Sequence, residues 1–132
     1  MKINSEKVVV KATPDLIIDF LSDATNLFHL LPQDNVSDFK ATKEECSFKV
    51  QGGIVISMIE NGNNGKDEIY IKSGEKSPFP FNLTIKLTPN EDSTEGLILF
   101  DGEVNMFLKM MVEKPLKNLF NYMSNKLKEW YA

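Results

Sequence analysis

A cysteine–histidine pair for nucleophilic chemistry could come only from Cys46 and His29, because the sequence contains one cysteine and one histidine. A cysteine nucleophile needs a base beside it, and the spacing of two residues in a sequence does not show whether they meet. Cys46 shares one face of a predicted strand with Phe48 and Val50, which is typical of a small buried core residue. We therefore assign no catalytic residue.

His29 stands beside Phe28, Leu30 and Leu31 in a predicted short helix. A histidine at a helix end or on the surface is the ordinary interpretation of this pattern. The functional alternative is a polar group at the mouth of a cavity, where it would orient a ligand or move a proton.

Paired carboxylates are a second source of acid–base chemistry. Asp101 and Glu103 share a face of a predicted strand whose other face is apolar, so we expect solvent exposure for both. Asp19 and Asp23 are four residues apart on a predicted helix, and we expect the same for them. Neither pair is assigned a role.

The sequence predicts no metal site and no cofactor. It has no HExxH, CxxC or acidic calcium loop, and one histidine and one cysteine are too few for structural zinc. It also has no GxxxxGK[ST] or GxGxxG phosphate-binding loop.

Composition indicates a single globular domain spanning residues 1–132, with 42% hydrophobic and 26% charged residues. All 15 basic residues are lysines, and the formal net charge is -4. Arginine supplies the bidentate fork that reads phosphate and guanine, so nucleic-acid binding is not expected. The apolar runs are too short to span a bilayer and residues 1–7 lack an apolar signal core, so we expect no membrane insertion and a cytoplasmic protein.

Hydrophobic periodicity sets out the elements that would position these residues. Residues 3–12 predict a strand, Thr13-Pro14-Asp15 a helix start, and residues 24–31 a second short helix that ends at Pro32. About five antiparallel strands follow, and alternation is clearest from Phe81 to Thr88. Asn105 suits the cap of a last helix, in which Pro115 predicts a kink or a second helix start.

The last helix has a large apolar face at three- and four-residue spacing. Its members are Val112, Leu116, Leu119, Phe120, Met123, Leu127, Trp130 and Tyr131. We expect Trp130 and Tyr131 to anchor the helix end, with a homodimer contact as the alternative. Because the helices stand at the two ends of the strand run, the fold class is α+β.

In this order, the elements resemble the START-like superfamily, also called SRPBCC or Bet v 1-like. The resemblance rests on the strand Lys7–Ala12, on Thr13-Pro14-Asp15 with Leu16–Phe20, on Leu21-Ser22-Asp23, and on Asn26 and Leu31-Pro32. It continues with Phe100, Gly102, Val104 and Asn105, and ends with Pro115-Leu116 in the long helix.

The resemblance implies a helix-grip fold, in which a curved antiparallel sheet wraps around the C-terminal helix and two short helices follow the first strand. It also implies an internal apolar cavity for a lipid, sterol or polyketide-like ligand. Some members of the superfamily are cyclases or other enzymes and many only bind or carry, and no invariant catalytic motif carries over.

The expected cavity wall consists of inward strand positions and the apolar helix face. Its members are Phe48, Ile56, Met58, Ile71, Phe81, Leu83, Ile85, Phe100, Leu116, Leu119, Phe120 and Met123. Met106, Met110 and Met111 add flexible thioethers that suit an adaptable pocket or an ordinary core, and Phe79 suits a loop over the opening.

Three hypotheses for function remain. The first is non-covalent binding of a small apolar ligand. The second is a cyclase or dehydratase that uses His29 or a buried carboxylate, which requires a titratable group inside the cavity. The third is a protein-interaction module, which requires a filled interior and an exposed apolar patch.

Overall fold

In the computed structural model, which describes residues 1–132, two short strands, two short helices and six further strands precede one long helix. The strands are β1 (Lys2–Asn4), β2 (Val8–Val10), β3 (Ser37–Ala41), β4 (Glu45–Lys49), β5 (Val55–Asn63), β6 (Glu68–Ser73), β7 (Phe81–Pro89) and β8 (Thr94–Gly102). The helices are α1 (Pro14–Leu21), a 3₁₀ helix (Ala24–Leu30) and α2 (Met106–Trp130).

All eight strands form one antiparallel sheet in the order β1-β8-β7-β6-β5-β4-β3, and β2 also pairs with β8. Strands β3 to β7 each pair with the next strand in the chain, so short turns suffice to join them. The sheet is curved and α2 packs against it, which confirms the predicted α+β class and helix-grip architecture.

The N-terminal segment differs from the prediction of one strand over residues 3–12. Asn4 pairs with Leu99 and Val8 with Gly96, so three residues between them face only two on β8. The extra residue interrupts the ladder, as in a β-bulge, and divides the segment into β1 and β2. Ser5 lies in this interruption.

Side-chain caps begin both short helices. The Thr13 hydroxyl accepts a hydrogen bond from the Leu16 amide at 3.4 Å, and the Asp23 carboxylate accepts one from the Thr25 amide at 3.0 Å. The second helix is 3₁₀ and has seven residues; it ends before Leu31, which precedes Pro32 and is extended.

The Asn105 side chain caps α2 as predicted, accepting from the Leu108 amide at 2.9 Å. The alternative of a second helix starting near Pro115 is wrong, since α2 is one helix of 25 residues. Because Pro115 has no amide hydrogen, the carbonyl of Met111 loses its hydrogen-bond donor within the helix. Met111 lies on an exposed turn, so water can donate to this carbonyl instead. No helix combines the length and the hydropathy needed to cross a membrane.

Candidate functional site

The interface between the sheet and α2 was the predicted site, and its residues are buried as expected. All twelve side chains predicted to line a cavity are only 1–6% exposed and belong to one core cluster of 30 residues. Strand alternation and helical spacing therefore identify the inward faces of both layers.

The space left deep in this interface is small, and a more open groove of about 200 Å³ lies at its edge, where Leu119 and Pro115 of α2 meet the turn between β4 and β5. One gap between the sheet, the short helices and α2 leaves about 20 Å³ for the centre of a water molecule, which is roughly enough for one water. Pockets that hold drug-sized ligands measure about 300–1,000 Å³. The interior is thus filled in this conformation.

Four phenylalanines pack against one another in the core, and one of them, Phe120, borders the gap. The ring of Phe100 lies 5.3 Å from that of Phe81, 5.5 Å from that of Phe120 and 6.3 Å from that of Phe79, between centroids. Phe79 was expected in a loop over an opening, but it is 4% exposed and packs inward against Phe81 and Phe100. Aromatic contacts of this kind stabilise a solid core beyond their buried area.

The remaining gap is almost wholly apolar, since thirteen of the fifteen residues around it are hydrophobic. Half of the predicted wall borders it: Met58, Ile71, Leu83, Ile85, Phe120 and Met123. The other half packs in the core away from it: Phe48, Ile56, Phe81, Phe100, Leu116 and Leu119.

The polar side chain at the gap is that of Ser124 of α2, which was not among the predicted site residues. Its hydroxyl donates to the Ser5 hydroxyl at 3.1 Å, and the Ser5 hydroxyl accepts from the Ile98 amide at 2.8 Å. Helical spacing could have found it, because Ser124 lies four residues after Phe120 and three before Leu127, on the buried face. Leu21, Leu27 and Leu30 of the two short helices also border the gap.

His29 does not border the gap, which agrees with the ordinary interpretation of a helix-end or surface histidine and not with the alternative at a cavity mouth. Its side chain is exposed and its ring stacks on that of Trp130 at 4.9 Å. Trp130 also packs against Phe20 at 5.2 Å, and the Tyr131 hydroxyl donates to the Leu16 carbonyl at 3.3 Å. Both aromatic residues thus anchor the helix end, as predicted.

The other candidates for chemistry have no suitable environment. Asp101 and Glu103 are exposed as expected. Cys46 is 2% exposed, and burial raises the pKa of its thiol from about 9 to about 12. A thiolate is the reactive form, so this cysteine is inert near neutral pH.

The most unusual surface of the molecule lies on the first turns of α2. Met106, Phe107, Met110 and Met111 are 76%, 72%, 81% and 46% exposed, respectively. They recur at one- and four-residue steps, so they share one side of the helix, and we call this side the Met–Phe face. The three methionines, predicted to line a pocket or core, lie outside the interior.

Comparison with known proteins gives matches among solved structures only. No protein-family model matches the sequence, and no curated protein matches it. Three similar structures are the protein TTHA0849 from Thermus thermophilus, a START superfamily protein from Mycobacterium smegmatis, and the Aha1 dimer from Colwellia psychrerythraea.

All three matches span nearly the whole of both chains. The Thermus protein is 14% identical with a TM-score of 0.69, covering 98% of this chain and 95% of its own. The Mycobacterium protein is 15% identical with a TM-score of 0.66, and the match covers 98% of each chain. The Colwellia protein is 15% identical with a TM-score of 0.67, and the match covers 99% of this chain and 96% of its own. The chain therefore has a START-like (SRPBCC) fold.

Proposed function

We propose that this chain is an interaction domain that binds a protein surface through the Met–Phe face of α2. The observation that carries the proposal is the exposure of four large apolar side chains on two successive helical turns. Single exposed apolar residues are ordinary on a protein surface, whereas a contiguous group marks a contact site.

The filled interior supports the same function. A helix-grip domain that carried a ligand would need an internal volume for it, and this interior holds about 20 Å³. An interaction domain requires only a rigid scaffold behind its contact face. Methionine suits such a face, since its flexible thioether adapts to the shape of a partner. With one buried, unpaired cysteine, a cytoplasmic location is part of the proposal.

Site-specific photo-crosslinking tests this function in cells of the organism that makes the protein. A photo-reactive phenylalanine replaces Met110, and a control chain carries it at Asp92. Asp92 is exposed in the turn before β8, roughly 25–30 Å along that strand from its other end, after which α2 begins. We expect an adduct of defined mass from position 110 and none from position 92. No adduct from position 110, or the same adducts from both positions, would rule the proposal out.

Binding of a small apolar ligand is the second candidate, favoured by the apolar lining of the gap. A lipid, sterol or polyketide-like molecule would enter only if the gap widened, and Leu27 and Leu30 of the short 3₁₀ helix are the wall residues we expect to move. The Ser5–Ser124 hydroxyl pair would then be the polar contact for the ligand.

Two opposed substitutions at the gap test the ligand hypothesis with lauric acid as the probe. Met123→Ala widens the gap and Ile85→Phe fills it. If the gap binds ligand, titration calorimetry should show tighter binding for Met123→Ala than for the wild type, and weaker binding for Ile85→Phe. Equal affinities in all three folded proteins, or no heat from any, would reject a ligand site there.

The enzyme hypothesis lacks the group that it required. None of the fifteen residues around the gap is titratable, and His29 is exposed where it stacks on Trp130, outside the gap. The gap therefore offers no acid or base to a ligand bound in it. We therefore favour binding over turnover.

A further inference from the structure

We propose that Asn61 is a site of spontaneous covalent modification, at which the folded protein converts this asparagine to aspartate and isoaspartate. Two Asn-Gly pairs, Asn61-Gly62 and Asn64-Gly65, stand at the end of β5 and in the turn that follows it. Asparagine before glycine is open to attack by the next backbone amide, because glycine has no side chain to obstruct the approach. The structure gives the two pairs different surroundings.

The first pair lies in a break in the strand ladder. Two residues of β5, Asn61 and Gly62, face a single residue of β6, Tyr70, as in a β-bulge. Gly62 has a φ of 86°, in the left-handed region, and a Cβ atom built there would meet nothing within 4 Å. No other part of the protein therefore obstructs the space around Gly62.

A base stands at the attacking nitrogen. The Glu60 carboxylate accepts a hydrogen bond from the Gly62 amide, with 2.9 Å between Oε1 and the nitrogen. This distance is within reach of a general base. The Asn61 carboxamide is exposed and makes no hydrogen bond with another group of the protein, so it is free to turn toward the nitrogen of Gly62.

The reaction consumes water and releases ammonia. The Gly62 nitrogen forms a bond to Cγ of Asn61 while its proton passes to the Glu60 carboxylate. The bond between Cγ and the side-chain nitrogen then breaks, and this nitrogen leaves as ammonia with the proton that Glu60 returns. A water molecule opens the resulting succinimide ring at either carbonyl, which gives aspartate or isoaspartate.

The second pair is held in an unreactive arrangement. The Asn64 Oδ1 accepts from the backbone amides of residues 66–68 at 2.9–3.0 Å, and its Nδ2 donates to the Asp67 carboxylate at 2.7 Å. The Gly65 amide donates to the Asn63 Oδ1 at 2.8 Å, and a neutral carboxamide does not take up its proton. Rotation of the Asn64 carboxamide toward Gly65 would break these four hydrogen bonds.

Modification at Asn61 changes both the charge and the length of the main chain. Either product adds a carboxylate beside Glu60, in a chain whose formal net charge is already -4. Isoaspartate also inserts a carbon atom into β5, close to the pairing of Asn63 with Ile69, which is 0% exposed. Because a longer main chain disturbs the register that places Ile69 in the core, we expect the modified protein to be less stable.

Peptide mass spectrometry tests the site, on folded protein kept at neutral pH and physiological temperature in heavy-oxygen water. We expect residue 61 to gain solvent oxygen and form isoaspartate more than about tenfold faster than residue 64, because four hydrogen bonds hold the Asn64 side chain. In concentrated guanidinium, which unfolds the chain, the two rates should become similar. No faster reaction at residue 61 in the folded protein, or an equal preference after unfolding, would overturn the inference.

Glu60→Gln tests the base, and circular dichroism confirms that the variant is folded. Glutamine keeps an acceptor for the Gly62 amide but does not take up its proton, so modification of Asn61 should slow by more than about tenfold. Glu91→Gln is the matched control, since it removes the same charge from an exposed position in the turn before β8. It should react like the wild type. An unchanged rate in Glu60→Gln, or equal slowing in both variants, would overturn this mechanism.

Discussion

Ser124 of α2 donates a hydrogen bond to Ser5 across 3.1 Å, and both hydroxyls lie in an otherwise apolar interface. Ser5 has two further partners, since its hydroxyl accepts from the Ile98 amide at 2.8 Å and lies 3.1 Å from the Glu6 carbonyl. The pair thus connects the C-terminal helix to β8 through the interruption between β1 and β2. It joins positions 119 residues apart in the chain.

The two serines should differ in what they contribute to stability. Ser5→Ala leaves the Ile98 amide without its acceptor and the Ser124 hydroxyl without its partner, so we expect it to cost about 2–3 kcal/mol. Ser124→Ala leaves Ser5 with two partners, so we expect about 1 kcal/mol. Urea denaturation measures both, and Ser93→Ala, a serine outside this network, is the control. A larger loss for Ser124→Ala than for Ser5→Ala would contradict this account.

Much of the fold could be read from local patterns. The alternation of Phe81, Leu83, Ile85 and Leu87 predicts β7, and every one of these side chains is buried. The cap residues Thr13 and Asn105 lie where the helices begin. Such features depend on neighbours in sequence, which a single chain shows directly.

The candidate site could not be read in the same way, because its character depends on residues distant in sequence. An apolar wall and a solid core use the same residue types, and the packing of Phe79, Phe81, Phe100 and Phe120 decides between them. Helical spacing also could not show that Met110 is exposed, since that depends on which turns of α2 the sheet covers.

The cap of α2 should contribute measurably to stability. Asn105→Ala removes the acceptor of the Leu108 amide, and we expect a loss of about 1 kcal/mol. Asn105→Asp keeps an acceptor and adds a negative charge at the positive end of the helix dipole, so it should be at least as stable as the wild type. Thermal unfolding of the three proteins measures the difference. Equal losses for both variants would show that the cap bond is not the source.

A side chain at Gly102, at the end of β8, should destabilise the protein while Phe100 is present. A Cβ atom there would lie 2.8 Å from two atoms of the Phe100 ring and 3.3 Å from Val104. We expect Gly102→Ala to cost about 1–3 kcal/mol through overpacking. In a Phe100→Leu background the ring is gone, so the same change should cost clearly less. A double-mutant cycle by urea denaturation measures the coupling, and additive losses would show that the ring is not the obstacle.

Cys46 should make the folded state less stable at high pH. Burial raises the pKa of its thiol from about 9 to about 12, so between these values the unfolded chain has released a proton that the folded protein keeps. Since the folded state binds more protons there, the free energy of unfolding falls as pH rises from about 9 to about 12. Cys46→Ala should reduce this slope, although Tyr70 and Tyr131 also have raised pKa values and will retain part of it.

Denaturant titrations at about pH 8, 9 and 10 measure the slope. Identical slopes for the two proteins would show that the thiol is not protected by burial. In that case Cys46 would also react with iodoacetamide in the folded wild type, where we expect reaction only after unfolding.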